Sequence, residues 1–155
     1  MRIFTILTMT LTLTLFISCA SKKTFIPYQR TGEVVYVAQD VPGTMTVRSN
    51  AFASSAADAV YYAERNALEN IFYKGIPGSP QATPMISDDK AVYKYRDFFS
   101  RFFNNGEYRK YITESVPVYQ NKTRSGFYIT QEITIDIGAL RKALEKEGII
   151  RKFGL

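Results

Sequence analysis

Few of the side chains that carry enzyme chemistry occur in this chain. Its 155 residues include no histidine and one cysteine, Cys19. Ser-His-Asp triads, Cys-His pairs and His-based zinc sites need an imidazole, so these chemistries are excluded. Carboxylates, Lys, Tyr and Ser remain. Ser87-Asp88-Asp89-Lys90 has the S-x-x-K spacing that sets a lysine beside a serine nucleophile. The same residues read more simply as a helix start. Ser87 or Asp88 would cap it, with acidic charge near the positive end of the dipole. Neither K-T-G nor S-D-N occurs to complete such an enzyme. Asp88 and Asp89 could serve a hard cation, which wants six or more oxygens, but only Asp97 lies nearby in sequence. No metal and no catalytic residue is expected.

Two stretches interleave aromatic and basic side chains, Tyr93-Lys94-Tyr95-Arg96 and Tyr108-Arg109-Lys110-Tyr111. Such alternation can stack sugars or bases, or sit at a lipid interface. It also arises wherever an element has one buried and one wet face. Phe98-Phe99-Ser100-Arg101-Phe102-Phe103 lays two adjacent stripes on a helix. The stripe of Tyr95, Phe98 and Phe102 reads as core. The stripe of Val92, Phe99 and Phe103 widens the apolar face beyond what one sheet covers. It reads as further core or as a docking patch. Phe99, Phe103, Tyr93 and Arg96 are therefore the candidate partner-binding residues. The net charge of +6 is scattered, which suits a solvated surface rather than a nucleic-acid footprint. A small-molecule ligand is not expected.

The meaning of Cys19 comes from what precedes it. Met1-Arg2 is basic, residues 3–17 carry no charge, and Ser18 is small; that is the order of a secretory signal. The run is too short for a spanning helix, which needs roughly 20 apolar residues. Phe16-Ile17-Ser18-Cys19 resembles the lipobox of bacterial lipoproteins, with Phe16 where Leu is usual. The resemblance implies a diacylglycerol on the Cys19 thiol, cleavage before Cys19, and acylation of the freed amine. No cofactor is expected beyond this covalent lipid. One acyl chain anchors only marginally, at about 0.8 kcal/mol per buried CH₂, whereas two or three anchor stably. The expected organisation is a signal peptide over 1–18, a lipidated tether over 19–31 and one domain over 32–155. Ala20 stands where Asp would resemble an inner-membrane retention signal. The expected location is thus the outer membrane, facing the periplasm.

The elements that must position any site are legible. Val34-Val35-Tyr36-Val37 reads as a strand, Val41-Pro42-Gly43-Thr44 as a type II turn, and residues 45–52 as a returning strand. Residues 54–73 read as the strongest helix, started by Ser55 with Asp58. Ala56, Val60, Ala63, Ala67 and Ile71 share one face, and Glu64, Arg65, Glu69 and Asn70 mark the expected wet side. Residues 75–89, rich in Pro and Gly, read as a long loop, functional or disordered. A second helix is expected over 90–104. A strand over 108–119 carries Pro117, which suggests an edge or bulge. A strand over 127–137 sets Phe127, Ile129, Ile133, Ile135 and Ile137 on one face, with Gln131 on the same face near solvent. A last helix over 138–147 ends at Gly148. Together they give an α+β fold, an antiparallel sheet of about four strands with two or three helices on one face.

Residues 46–72, with Ala56, Ala59, Ala63 and Ala67, resemble the start of the FlgT amino-terminal domain and the small outer-membrane lipoproteins similar to it. So does Ile133-Thr134-Ile135-Asp136 followed by Leu140-Arg141-Lys142-Ala143-Leu144. The Phe98–Phe103 segment and the Pro/Gly loop depart from that pattern. The resemblance implies a platform that binds other envelope proteins without catalysis. The expected function is an accessory or structural lipoprotein of an envelope assembly, for secretion, motility or a surface fibre. The alternative is a glycan- or peptidoglycan-binding module, which would line a groove with tyrosines.

Overall fold

The computed structural model describes residues 32–88 and 90–152. The expected signal peptide, Cys19, the tether and Asp89 lie outside the described residues. The fold is α+β, built on a four-stranded antiparallel sheet in the order β1-β2-β4-β3. The strands are β1 (Val34–Ala38), β2 (Thr44–Ala53), β3 (Ile112–Lys122) and β4 (Phe127–Asp136). The β1–β2 turn is the one the sequence spells. Thr44 N donates to Val41 O at 3.0 Å, and Gly43 takes φ +86°, which a side chain resists. β3 is an edge strand with register shifts at Ile112/Glu114 and Pro117/Tyr119. Proline and bulges both discourage further strand addition at such an edge.

Helix α1 (Ala56–Tyr73) starts at Ser55, whose Oγ accepts from Asp58 N at 3.1 Å. It crosses the inner face of β2 and β4 on alanines. Ala59, Ala63 and Ala67 are fully buried. Small side chains let the backbones approach closely enough for Ser49 Oγ on β2 to donate to Ala63 O at 2.8 Å.

The expected wet side of α1 is not wet. Glu64, Arg65, Glu69 and Asn70 are all buried. The sequence pattern cannot show what covers them, because the cover comes from distant segments. Residues 95–111 wrap α1, with Phe72 as the hub: its ring lies 6.2 Å from Phe99, 5.5 Å from Phe102 and 6.3 Å from Phe103. The Pro/Gly loop closes the far end. Met85 N and Ile86 N donate to Ile71 O and Phe72 O, the last-turn carbonyls of α1 that lack helical partners. Ile76, Met85 and Ile86 are buried, so this loop is part of the core.

The single helix expected over 90–104 is three short pieces. α2 (Ala91–Lys94) and α3 (Arg96–Phe99) meet at Tyr95, and a π-helical turn (Ser100–Asn104) follows. Tyr95 Oη donates to Gly148 O at 2.7 Å, fixing the break. Phe99, Phe102 and Phe103 are spaced i, i+3, i+4, so the two stripes merge into one face. Phe99, Phe102 and Phe103 all turn inward, and Phe98 is the half-buried ring. A 3₁₀ segment (Glu107–Tyr111) then leads into β3. Gln131 is another correction: it is 2% exposed, beneath α1 rather than near solvent.

Helix α4 (Ile137–Lys146) is capped by Asp136, whose Oδ1 accepts from Ala139 N at 2.8 Å. Gly148, with φ +69°, lets Ile149 N reach Leu144 O at 2.9 Å, closing the helix with a Schellman motif.

Two stability measurements check this core. Ala63→Leu or Ala67→Leu is expected to destabilise by roughly 1–3 kcal/mol, because methylenes are forced into a close helix–sheet contact. Phe99→Ala or Phe103→Ala is expected to cost about 3–5 kcal/mol, as for other buried aromatics. Chemical denaturation of each variant reads both; unchanged midpoints would show that these faces are not packed.

Candidate functional site

The residues first considered for partner binding do not form one surface. Phe99 is 1% and Phe103 3% exposed. They are core, because with Phe102 they are spaced i, i+3, i+4 and pack as one face against Phe72, and a folded domain cannot offer them to a partner. Tyr93 and Arg96 are exposed on α2 and α3, but the phenylalanines that were to join them point the other way. The S-x-x-K residues Ser87 and Lys90 are both exposed, and Asp88 Oδ1 accepts from Lys90 N at 2.9 Å; the N-cap of α2 is Lys90 itself, so neither Ser87 nor Asp88 caps the helix as expected. Among the described residues, no three of His, Cys, Asp and Glu come together as metal ligands, and no helix is long and apolar enough to cross a membrane.

Among the described residues, the buried ionisable groups gather on the covered side of α1. Tyr108 Oη donates to Glu64 Oε2 at 2.7 Å, and Arg109 Nε lies 3.7 Å from the same oxygen. Arg65 Nε donates to Glu69 Oε1 at 2.7 Å, its Nη1 donates to Tyr61 Oη at 3.2 Å, and its guanidinium lies 4.8 Å from the Phe103 centroid. Burial, then the Glu64 carboxylate, pushes the Tyr108 pKa up, so that hydroxyl keeps its proton. Burial acts to lower the Arg65 pKa, but Glu69 and Tyr61 outweigh it and the net shift is upward. The acids are paired and the hydroxyl proton is engaged. This arrangement fixes the cover of α1 onto the helix.

The outer face of the sheet is different, because no helix among the described residues crosses it. Its side chains follow from register. Val35 stands opposite Arg48, Arg48 opposite Glu132, and Glu132 opposite Val116, in one row across all four strands. Arg48 and Glu132 form an ion pair. The Thr46 and Thr134 hydroxyls, 2.8 Å apart, hydrogen-bond to each other. Phe52 stands opposite Tyr128, and Tyr128 meets Tyr119 edge-on at 6.1 Å. Val35, Val37, Phe52, Val116, Tyr119 and Tyr128 are all at least 36% exposed. Exposed large apolar side chains at both margins of an uncovered sheet face make it the candidate interaction surface.

Sequence reasoning missed this surface. Thr130, Glu132, Thr134 and Asp136 made that face of β4 look purely solvated. Two signals pointed the other way. Val34-Val35-Tyr36-Val37 is apolar at consecutive positions, which a strand with one wet face does not need. Phe52 and Tyr128 fall on the outer side of otherwise polar alternations.

No protein-family model, no curated protein and no solved structure matches the chain.

Tyr108→Phe tests the buried cluster. It removes one hydrogen bond to a buried carboxylate and is expected to cost about 1–3 kcal/mol at neutral pH. The raised Tyr108 pKa means that the unfolded chain loses this proton first, near the ordinary tyrosine value of about 10, so native stability falls as pH rises above it. Urea melts from about pH 8 to about pH 11, spanning that value, should show a shallower alkaline loss in Tyr108→Phe than in the wild type.

Proposed function

We propose that this protein is an outer-membrane lipoprotein, anchored through acyl chains on Cys19 and facing the periplasm. In this reading it is a non-enzymatic accessory or structural component of an envelope assembly. The observation that carries the reading is the uncovered outer face of the sheet. Its aliphatic and aromatic side chains lie flat across four strands, the shape that a protein partner covers. A glycan module would instead gather tyrosines around a groove, whereas Tyr119 and Tyr128 sit on this flat face beside Phe52, and Tyr93 and Tyr62 are exposed on other elements. The paired state of the buried acids supports a role without catalysis. The likeness of residues 46–72 and 133–144 to FlgT-type envelope proteins supports the same class of function. The contact surface moves from Phe99 and Phe103 to Phe52, Tyr128 and their neighbours.

Two measurements test this. Cys19→Ala is expected to abolish metabolic lipid labelling and release the chain from the membrane fraction. A mature wild-type protein with no acyl mass on Cys19 would remove the anchor from the proposal. Phe52→Ser/Tyr128→Ser is expected to change stability by about 1 kcal/mol or less, as exposed substitutions do. It should also lose the proteins crosslinked to the wild type in intact cells. A double variant that melts normally and captures the same set would show that the assembly contact lies elsewhere.

A further inference from the structure

We infer that the outer face of the sheet is a self-association surface, and that its first occupant is a second copy of this chain. The inference rests on the reading of this face as an assembly surface and names the partner. Symmetry points to that partner. β2 and β4 are the central strands, and Arg48 and Glu132 sit side by side near their midpoints. Two copies packed face to face are related by a two-fold axis lying between them. When that axis runs along the strands, between β2 and β4, each β2 lies over the partner copy's β4.

Under that operation the central rows of the face meet their own complement, while at the margins Thr44 falls over Asp136, Ala38 over Glu114, and Tyr119 beyond the start of β1. Arg48 of each copy lies over Glu132 of the other. Val35 lies over Val116, at the two ends of the same row. Thr46 lies over Thr134, Asn50 over Thr130, and Phe52 over Tyr128, since these pairs share rows of the β2–β4 register. Apolar meets apolar, hydroxyl meets hydroxyl and plus meets minus, which is what an isologous interface requires. An axis across the strands would set Arg48 on Arg48.

Size and chemistry agree. Strands of about ten residues at about 3.4 Å each, spaced about 4.8 Å apart, with β1 half as long, give about 1,100 Å² over two faces. That clears the ~1,000 Å² minimum for a biological interface and lies at the small end of the range for specific ones. Aligned packing is the usual way two twisted sheets meet. A lipid surface fits less well. Arg48 is the single cation on the outer face of β2 and β4, and Glu132 already neutralises it.

The test uses full-length chains purified from membranes in detergent, or from the soluble fraction if they carry no acyl chain. Sedimentation velocity should find wild-type dimers. Arg48→Glu makes the face doubly acidic, and Glu132→Arg makes it doubly basic. Each variant alone is expected to raise the dimer dissociation constant at least about 10-fold, because like charges then face each other. A 1:1 mixture should regain the wild-type value within about 3-fold, since the doubly acidic face of one variant then meets the doubly basic face of the other. That rescue acts only between chains, because each variant keeps its like-charged neighbours within its own sheet. Should either variant fail to fold, Val35→Cys and Val116→Cys chains decide. A short bis-maleimide should join a Val35→Cys chain to a Val116→Cys chain, and should not join two Val35→Cys chains above the wild-type background. A monomeric wild type, a mixture that stays dissociated while both variants melt normally, or crosslinking without that preference overturns the inference. A monomeric wild type whose Phe52→Ser/Tyr128→Ser variant still loses captured proteins would assign the face to a different protein, leaving the functional reading intact.

Discussion

The closeness of α1 to the sheet governs the rest of this fold. Ser49 reaches the Ala63 carbonyl directly, which is possible only because the helix presents alanine to the strands. Alanines bury little area each, so this contact alone is a thin core. The deficit is met on the helix's other sides. Phe72 projects into the rings of Phe99, Phe102 and Phe103, and aromatic side chains supply far more apolar area per residue. The unusual density of phenylalanine in 98–103 is the counterpart of the alanine density in 56–67.

Enclosing the C-terminal half of this helix on all sides has an electrostatic consequence. An amphipathic helix carries charges on the side turned from the sheet. Once that side is covered, the charges must be paired, because an isolated buried ion is costly. Glu64 finds Tyr108 and Arg109, and Arg65 finds Glu69 and Tyr61. The bonds from Glu64 join elements distant in sequence, so they fix where the aromatic cover sits.

The same arrangement leaves the sheet one-sided. Among the described residues, the helices and the phenylalanine cluster lie on the inner face, and β3, with its bulges and Pro117, blunts one edge against further strands. What remains open is the outer face, where register sets valines, threonines, an ion pair and aromatic rings in rows across the midline. Association through that face would complete a sandwich that one chain leaves half built, and a tether on the same chain would bring copies together on one membrane.

Much of this was legible in the residues themselves. The β1–β2 turn, the Ser55 cap, the alanine stripe, the edge character of β3 and the Gly148 stop are local devices. Each depends on a few adjacent side chains and on backbone preferences that act at short range. The absence of histidine likewise excluded whole classes of chemistry without any structure. What the tertiary structure alone decided was which faces are covered. Glu64, Arg65 and Gln131 look solvated in the pattern and are buried. Phe99 and Phe103 look available and are core. Phe52 and Tyr128 look incidental and stand at the proposed contact. The reason is physical: periodicity reports that a face is apolar or polar, whereas burial depends on segments distant along the chain.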